Sequence, residues 1–284
     1  MQLISDIKSR LSGIYPTEEL DGIIRILLSH YINVSLPEIF LDHHKVPEAE
    51  KLTALWDAVA KLRHHCPIQY VIGETEFYGL TFKLTSDVLI PRPETEELTD
   101  LIIQDARRMP QNTPLKIVDI GTGSGCIAVS LASALPLSEV WAVDISQQAL
   151  QVAAQNAEMN RVHVHFRHAD ILSENDFAPD ELFDVIVSNP PYVTQQDKAE
   201  MQANVLHYEP HLALFPEGDN PLVFYERIAL WGTRHLQPQG RLYLEINETF
   251  PEETSAILKR LQYQDITVKK DIRGKWRMVT AKTR

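Results

Sequence analysis

The feature that most constrains the fold of this chain is a regular alternation of strand-like and helix-like patterns that begins at residue 115. Four apolar segments are predicted as strands: LKIVDI, EVWAVD, VHVHFRHAD and FDVIVS. The helical segments CIAVSLASAL and QQALQVAAQNAEMN lie between the first three. Parallel strands with short crossover helices form a doubly wound α/β sheet, whose ligands bind at the carboxyl ends of the strands. The sequence therefore predicts such a sheet, with its site at those ends.

The rest of the chain continues this pattern and then changes it. A helix is predicted around 221–236, followed by the strand RLYLEI and the helix EETSAILKRL. The tail ITVKKDIRGKWRMVTAK has strand-like segments on both sides of Gly274, which is typical of a hairpin. We expect an antiparallel hairpin at the C-terminal end of the sheet.

The first part of the chain is helical in pattern. Apolar residues recur at helical spacing in two segments: Leu20, Ile23, Ile24, Leu27, Leu28 and Tyr31, then Leu52, Leu55, Trp56, Val59 and Leu62. Thr17 is predicted as the N-cap of the first segment. The pattern predicts a small bundle of about three to five helices that ends near Cys66-Pro67.

A period of two follows the bundle. The alternating apolar residues are Tyr78, Leu80, Phe82 and Leu84. They predict a half-buried hairpin that connects the bundle to the sheet. The segment VLIPRPETEELTDLIIQDARR is then predicted as a turn bracketed by prolines and an amphipathic helix carrying Leu98, Leu101 and Ile102.

Composition limits the kinds of function. The 284 residues carry a formal net charge of -12, which argues against unaided binding to a nucleic-acid backbone. Two cysteines, Cys66 and Cys126, suggest no disulfide framework. No apolar run is long enough to span a bilayer, and the N-terminal segment MQLISDIKSR lacks the apolar region of a signal peptide. We expect a cytoplasmic protein with no membrane partner.

A glycine loop follows the first predicted strand. Gly121-Thr122-Gly123-Ser124-Gly125 opens a helix, and its glycines permit positive φ and close approach of a ligand to the backbone. The spacing differs from the dinucleotide fingerprint, and the lysine of a phosphate loop is absent. The loop suits a nucleoside ligand without phosphates, although a tight turn with no ligand is the alternative.

Acidic residues end the next two strands. Asp144 can accept hydrogen bonds from both hydroxyls of a ribose, or it can cap the helix that follows. Asp170 can meet an adenine edge, or it can be a solvated loop acid. The glycine loop, Asp144 and Asp170 together resemble the S-adenosylmethionine site of class I methyltransferases.

The fourth strand ends in Asn189-Pro190-Pro191-Tyr192. An amide nitrogen is a poor nucleophile, and a protein can position it by accepting both of its N–H hydrogens. We expect the Asn189 side-chain oxygen and the Pro190 carbonyl to be these acceptors, with the prolines holding the carbonyl rigid. Tyr192 would offer a flat face to a planar amide or base. A substrate without the NH₂ would leave the acceptors unpaired, at a cost of about 1–3 kcal/mol each. The alternative is a Pro-rich turn that ends a strand.

Other candidates for chemistry are weaker. His43-His44 and His64-His65-Cys66 lack the paired spacing of metal ligands, so no metal is assigned. No nucleophile is identified, because a direct transfer needs none. Arg92 could contact substrate or pair with Glu94, Glu96 or Glu97.

Four segments closely resemble the HemK/PrmC family, the methyltransferases of peptide-chain release factors. They are the helical N-terminal domain, PIQYVIGETEFYGLTF (67–82), IPRPETE (90–96) and YEPHLALF (208–215). The resemblance covers most of the chain, and IPRPETE combined with Asn-Pro-Pro-Tyr is highly specific. It implies a Rossmann-like class I methyltransferase sheet, with the hairpin after it and the helical bundle before it.

The resemblance also implies a reaction and its residues. The enzyme would methylate the side-chain amide of the glutamine in the Gly-Gly-Gln loop of release factors. Residues 121–125 and Asp144 would bind S-adenosylmethionine, Asp170 and Ile171 would contact its adenine, and Asn189 would also lie near the cofactor. Residues 189–192 would hold the glutamine, and the IPRPETE loop would close over the site.

The implied organisation has three parts. A helical bundle over 1–70 would dock the release factor, a hairpin over 71–92 would connect, and the methyltransferase domain would cover 93–284. The chain departs from the family pattern at Pro221, Asn247 and Trp276, and these departures could affect packing and the fit of the substrate.

Two other functions are weighed against this one. Asn-Pro-Pro-Tyr also occurs in nucleic-acid adenine-N6 methyltransferases, but the acidic charge and the lack of a basic recognition segment count against that reaction. A non-catalytic binding module could keep the same fold, but the intact glycine loop, Asp144 and the 189–192 motif count against it.

Overall fold

A computed structural model describes residues 2–33, 48–109, 114–173, 176–201, 203–216, 218 and 220–284. The described residues divide into two compact units. One lies within 1–74 and 202–208, and the other lies within 75–201 and 209–284.

The first unit is helical, as predicted. Its main elements are α1 (Gln2–Leu11), α2 (Thr17–Leu27), a π-helical turn (Leu28–Ile32), α3 (Ala49–Arg63) and α4 (Ile68–Ile72). The apolar faces of these helices form one core, whose buried members include Ile23, Ile24, Leu27 and Leu55. The helical spacing of these residues in the sequence therefore reflects a shared buried face.

The start of α2 differs from the prediction that Thr17 would be its N-cap. Pro16 holds the N-cap position with an extended backbone, and Thr17 is the first helical residue. The prediction is therefore wrong by one position, and no side chain caps this helix.

A two-stranded hairpin follows, formed by β1 (Glu74–Phe77) and β2 (Leu80–Lys83). Phe77 and Phe82 are buried, and their rings meet edge to face with centroids 6.0 Å apart. Tyr78 lies in the turn rather than in a strand, with φ at 49°. The period-two pattern indicated the hairpin, but the turn begins earlier than expected, so Phe77 and not Tyr78 is buried beside Phe82.

The second unit contains a seven-stranded sheet. Its strands are β3 (Lys116–Ile120), β4 (Glu139–Asp144), β5 (His165–His168), β6 (Phe183–Ser188), β7 (Leu236–Glu245), β8 (Gln264–Lys270) and β9 (Trp276–Lys282). The strand order is β5-β4-β3-β6-β7-β9-β8. The first five strands are parallel, and β9 pairs antiparallel with both of its neighbours. The predicted α/β sheet with a C-terminal antiparallel hairpin is confirmed.

One helix, α5 (Pro93–Ala106), precedes the first strand of this sheet, and the other helices lie between its strands in the sequence. These other helices are α6 (Cys126–Ala134), α7 (Gln147–Met159), α8 (Gln195–Glu200), α10 (His211–Leu214), α11 (Val223–His235) and α12 (Pro251–Arg260), with α9 (Ala203–Tyr208) belonging to the first unit. Two apolar cores cover the sheet. Val185 and Val187 of β6 belong to one core and Ile186 to the other, so this strand is apolar throughout because both of its faces are buried.

The register of the central strands brings the predicted site residues to one level. Ile120, the last residue of β3, pairs with Val143 of β4 and with Ser188 of β6. The residues that follow these three positions are therefore neighbours at the carboxyl edge of the sheet. They are the glycine loop, Asp144 and Asn189.

Candidate active site

A cavity of about 310 Å³ opens at the carboxyl edge of the sheet. This volume lies in the range of small-molecule sites. Most of the predicted site residues line it: Gly121, Thr122, Gly123, Ser124, Asp144, Asp170, Ile171, Asn189, Pro190 and Pro191. The sequence and the structure therefore point to the same place, although Gly125 and Tyr192 are not among the described lining residues.

The glycine loop is held by the strand beside it. The Val143 carbonyl accepts hydrogen bonds from the backbone N–H groups of Gly121 at 2.8 Å and Thr122 at 3.0 Å. The Gly123 N–H donates to Asp144 Oδ2 at 2.8 Å. Three consecutive backbone donors are thus fixed by β4 and its terminal carboxylate.

Side chains fix the rest of the loop. Thr122 Oγ1 donates to Asp119 Oδ2 at 2.6 Å, and the Asn156 amide donates to the Ser124 carbonyl at 2.8 Å. Burial raises the pKa of Asp119 to about 7, and the nearby Asp144 carboxylate adds to the rise. The loop is therefore a rigid surface on which a ligand can lie.

The three glycines of the loop have two different roles. Gly121 and Gly123 line the cavity at φ of 75° and 54°, and a Cβ at either position would meet nothing within 4 Å. These positions leave the backbone open to a ligand, which fits a nucleoside cofactor. A Cβ at Gly125 would lie 3.0 Å from the Cβ of Ala153, so this glycine is required for the packing of α6 against α7.

Asp144 faces both the loop and the cavity. Its Oδ1 accepts from the Ser146 N–H at 2.8 Å, and its Oδ2 accepts from Gly123. Each carboxylate oxygen can accept a further hydrogen bond, so both keep capacity for a ribose hydroxyl. Ser146 is the N-cap of α7, and its Oγ accepts from the Ala149 N–H. The cap of this helix is therefore Ser146 and not Asp144. Burial raises the pKa of Asp144, and the backbone donors oppose this rise.

Asp170 and Ile171 form another part of the cavity wall. Asp170 Oδ1 accepts from the Leu172 N–H at 2.8 Å, which shapes the turn after β5. Arg227 of α11 donates to the Ile171 carbonyl at 3.1 Å. The turn is therefore held from both sides, and its proposed contact with an adenine stays a prediction.

Hydrogen bonds to β3 and to α5 hold the end of β6 in place. Ser188 Oγ donates to the Ile120 carbonyl at 2.6 Å. Asn189 Nδ2 donates to Thr95 Oγ1 at 3.1 Å. Pro190 and Pro191 also line the cavity. The NH₂ group of the Asn189 side chain is thus hydrogen-bonded to Thr95 of α5.

Tyr192 is held by contacts that the sequence did not indicate. Its ring packs on the apolar core next to the sheet, and its hydroxyl donates to Glu245 Oε1 at 3.0 Å. Burial, followed by the Glu245 charge, raises the pKa of Tyr192 well above its ordinary value, so the hydroxyl stays a donor. The structure therefore shows Tyr192 as an anchor, and ring contact with substrate stays a prediction.

Arg92 has a partner that the sequence did not indicate. Its Nη2 donates to both carboxylate oxygens of Glu209, at 2.6 and 2.7 Å. The Glu209 side chain is 1% exposed and that of Arg92 is 33% exposed. The expected choice among the neighbouring acids Glu94, Glu96 and Glu97 did not include this residue, because it lies 117 positions away in the chain. The pair joins the IPRPETE segment to YEPHLALF.

Asn247, one of the departures from the family pattern, supports the 189–192 segment. Its Nδ2 donates to the Tyr192 carbonyl at 3.1 Å and to Asp197 Oδ2 at 2.8 Å. Asp197 in turn completes a capping box with Thr194 at the start of α8. The sequence placed Asn247 after a strand but gave no sign of this contact.

The other departures lie away from the cavity lining. Trp276 is 40% exposed, with the Lys270 ammonium 4.7 Å from its ring centroid. The following residue, Arg277, pairs with Asp271 at 3.5 Å. Pro221 lies shortly before α11 and directly precedes its N-cap, Leu222. None of Trp276, Arg277 and Pro221 is among the described residues that line the cavity.

Sequence reasoning missed several lining residues. They include Ser86, Asp87, Val88, Leu89, Ile145, Leu172, Leu212, Phe215, Phe224 and Ile228. Some lie in segments that carried a signal, since Leu212 and Phe215 belong to YEPHLALF. Val88 and Leu89 begin the segment VLIPRPETEELTDLIIQDARR, whereas no predicted segment included Ser86 and Asp87, which follow the hairpin without a motif of their own.

Other kinds of site find little support in the described part of the chain. It contains no group of three or more His, Cys, Asp or Glu side chains placed to hold a metal ion. His64 and His65 are exposed, while His43 and His44 lie outside the described residues. Burial raises the pKa of the Cys126 thiol to about 12, which keeps it protonated. No described helix has both the length and the apolar character needed to cross a bilayer.

Comparisons with known proteins bear directly on this site. The PrmC N-terminal domain matches residues 2–73, and the methyltransferase small domain matches residues 99–231. The release factor glutamine methyltransferase of Flavobacterium psychrophilum is 42% identical, over 95% of this chain and 94% of the relative. That of Bacteroides thetaiotaomicron is 43% identical, over 97% of each.

The chain belongs to the release factor glutamine methyltransferase family. The match runs almost end to end in both relatives, so it includes the helical unit as well as the sheet. Among solved structures, the 16S rRNA methyltransferase RsmC of Thermus thermophilus, in complex with S-adenosylmethionine and guanosine, is similar at a TM-score of 0.50. It is 18% identical over 74% of this chain and 50% of that chain, which shows a shared fold.

Proposed function

We propose that this chain transfers the methyl group of S-adenosylmethionine to the side-chain nitrogen N5 of the glutamine in the Gly-Gly-Gln motif of peptide-chain release factors, and so modulates translation termination. The observation that carries the proposal is that Asn189 and Pro190 line the same cavity as the glycine loop and Asp144. The names of the two relatives described above state the same reaction class.

The cofactor is assigned to one side of the cavity. Residues 121–124, Asp144, Asp170, Ile171 and Asn189 would hold it, and Gly125 would act through the packing of the loop. When bound, S-adenosylmethionine supplies an electrophilic methyl group on a sulfonium sulfur. The open backbone at Gly121 and Gly123 and the carboxylate of Asp144 support this assignment, since they suit a ribose and its substituents.

The substrate amide is assigned to the end of β6. Asn189 Oδ1 and the Pro190 carbonyl accept its two N–H hydrogens, and Pro191 keeps that carbonyl rigid. Two fixed acceptors determine the plane of the amide and the direction of its nitrogen. Positioning of this kind is a large part of the barrier reduction in a direct displacement. Tyr192 would contribute through its anchor on Glu245.

The proposed partner is the release factor itself. The net charge of -12 supports a protein substrate over a nucleic acid, and the names of the relatives give no support to adenine-N6 methylation. No membrane partner is proposed, and composition supports a cytoplasmic location. The helical unit, proposed over 1–70, would dock the release factor. Hydrogen exchange tests this last point: slower exchange in α1 to α3 on addition of release factor supports docking, and unchanged exchange contradicts it.

A labelling experiment tests the reaction. The protein is incubated with methyl-labelled S-adenosylmethionine and either a release factor or DNA. Label is expected in the release factor and not in a variant with the loop glutamine replaced, whereas label only in DNA would overturn the proposal. In the same assay Asn189→Ala should keep cofactor binding within a modest factor and lose most turnover. Wild-type turnover by that variant would refute the role of Asn189 as an acceptor.

A further inference from the structure

A buried carboxylate lies behind the 189–192 segment. Glu245 is the last residue of β7 and is 1% exposed. Its Oε2 accepts from Thr95 Oγ1 at 2.7 Å, and its Oε1 accepts from Tyr192 at 3.0 Å. Thr95 is 2% exposed and receives the 3.1 Å hydrogen bond from Asn189 Nδ2. The three side chains Asn189, Thr95 and Glu245 therefore form one hydrogen-bonded chain.

The number of available hydrogens determines which group donates in each bond of this hydrogen-bonded chain of side chains. A threonine hydroxyl has one hydrogen, and an ionised carboxylate only accepts. Burial raises the pKa of Glu245, and the hydrogen bonds from Thr95 and Tyr192 and the Arg277 charge oppose that rise. While Glu245 is ionised, the hydrogen of Thr95 is used on Glu245, and Thr95 Oγ1 can only accept from Asn189. Only the NH₂ half of the Asn189 amide can meet that demand. A flipped amide would set two acceptors against each other, which disfavours it by roughly 10- to 100-fold.

We propose that Glu245, acting through Thr95, is a positioning residue for Asn189. It fixes the amide so that the oxygen Oδ1, and not the NH₂ group, is presented to the substrate. This inference rests on the proposed function. With Nδ2 held by Thr95, Oδ1 serves as an acceptor for the substrate NH₂. In a flipped amide, the NH₂ of Asn189 would face the NH₂ of the substrate, and neither could accept.

The same carboxylate holds the other end of the motif through Tyr192. Glu245 thus positions two residues of the 189–192 segment, Asn189 through Thr95 and Tyr192 directly. Replacing Glu245 by a side chain that also donates hydrogen bonds should disturb both residues. No motif in the sequence marks this role, because Thr95, Glu245 and Asn189 come from three separate parts of the chain.

Threonine variants separate positioning from packing. Thr95→Val keeps the shape and removes the hydroxyl, while Thr95→Ser keeps the hydroxyl. Thr99→Val is the matched control, since Thr99 lies one turn along the same helix, is also buried, and donates to the Thr95 carbonyl at 2.9 Å. Thr95→Val should lower kcat by roughly 10- to 100-fold with KM and cofactor Kd nearly unchanged. Thr95→Ser and Thr99→Val should stay within about 3-fold of wild type on the same grounds.

Glu245→Gln supplies a second, independent variant. Its amide can donate to Thr95, which frees the hydroxyl hydrogen for Asn189 Oδ1 and permits the flipped amide. A fall in kcat with cofactor binding retained is expected. Wild-type kcat in both Glu245→Gln and Thr95→Val, or an equal loss in Thr99→Val, would overturn the proposal.

A spectroscopic readout keeps this test apart from the proposed function. The side-chain NH₂ signals of Asn189 are identified by their loss in Asn189→Ala, and their hydrogen exchange is measured without substrate. Exchange should quicken in Thr95→Val and not in Thr99→Val. If the wild-type protein methylates no release factor, the proposed function fails while this exchange still tests the hydrogen-bonded chain. Unchanged exchange in Thr95→Val would refute that chain.

Discussion

Replacing Arg92 by methionine should cost far more stability than replacing its partner Glu209 by glutamine. The reason is the unequal burial of the pair. The Glu209 side chain is 1% exposed, so without Arg92 its charge would be left in the interior. The Arg92 side chain is 33% exposed, so without the Glu209 charge it can still turn toward water. Removing one partner of a buried pair costs about 3–5 kcal/mol.

The expected changes in the free energy of unfolding are large enough to measure. Arg92→Met should lower the free energy of unfolding by about 3–5 kcal/mol, a large share of the roughly 5–15 kcal/mol that holds a typical domain folded. Glu209→Gln keeps the shape and one acceptor, so its cost should be about 1–3 kcal/mol. The double variant Arg92→Met with Glu209→Met removes the stranded charge and should recover most of the loss. Urea unfolding followed by circular dichroism measures all of these.

An exposed ion pair provides the control. Arg260 and Glu226 pair at 3.0 Å with side chains 65% and 41% exposed. Arg260→Met should change the free energy of unfolding by less than about 1 kcal/mol. The reasoning is refuted if Arg92→Met costs no more than Glu209→Gln, or if the double variant is no more stable than Arg92→Met alone.

Three further predictions concern the glycine loop and its carboxylates. Gly121 and Gly125 both have positive φ, so alanine at either position carries a similar backbone strain. Gly125→Ala should destabilise the fold by about 1–3 kcal/mol more than Gly121→Ala, because only its Cβ would lie 3.0 Å from the Cβ of Ala153. Equal unfolding midpoints for the two variants would contradict this. The raised pKa of Asp119, about 7, means that its contribution to stability is fully present below the unfolded value of about 4 and is lost as pH rises through 7. Asp119→Asn should therefore flatten the pH dependence of the unfolding free energy, and an unchanged slope would contradict the role of burial. Asp144→Asn should raise the Kd for S-adenosylmethionine by roughly 10- to 100-fold, since it turns an acceptor shared by Gly123 and the ribose into a donor, and calorimetry showing wild-type affinity would exclude that role.

The sheet could be predicted from the sequence because the residue pattern that favours each strand lies within one short segment. The segment EVWAVD was predicted as a strand and is β4, Glu139–Asp144. Both faces of β6 are buried, so FDVIVS needs an almost uninterrupted apolar run, which is visible in a single sequence. The loop glycines were equally visible, since positive φ at Gly121, Gly123 and Gly125 favours that residue type.

Long-range side-chain pairs could not be predicted in this way. The partner of Arg92 was sought among neighbouring acids, but Glu209 lies 117 positions away. The hydroxyl of Tyr192 donates to Glu245, 53 positions further on, because a buried carboxylate requires donors. The sequence did not indicate this partner, and the flat face that Tyr192 would offer to substrate stays a prediction. Such pairings depend on which strands become neighbours, and a single sequence does not record that.

The most direct test of the proposed reaction is to locate the transferred methyl group. A release factor treated with this protein and S-adenosylmethionine is digested and sequenced by tandem mass spectrometry. We predict one added methyl group on the side-chain nitrogen of the Gly-Gly-Gln glutamine, and none when Asn189→Ala replaces the wild-type protein. A methyl group on any other residue, or a glutamine that stays unmodified with active wild-type protein, would contradict the proposed reaction.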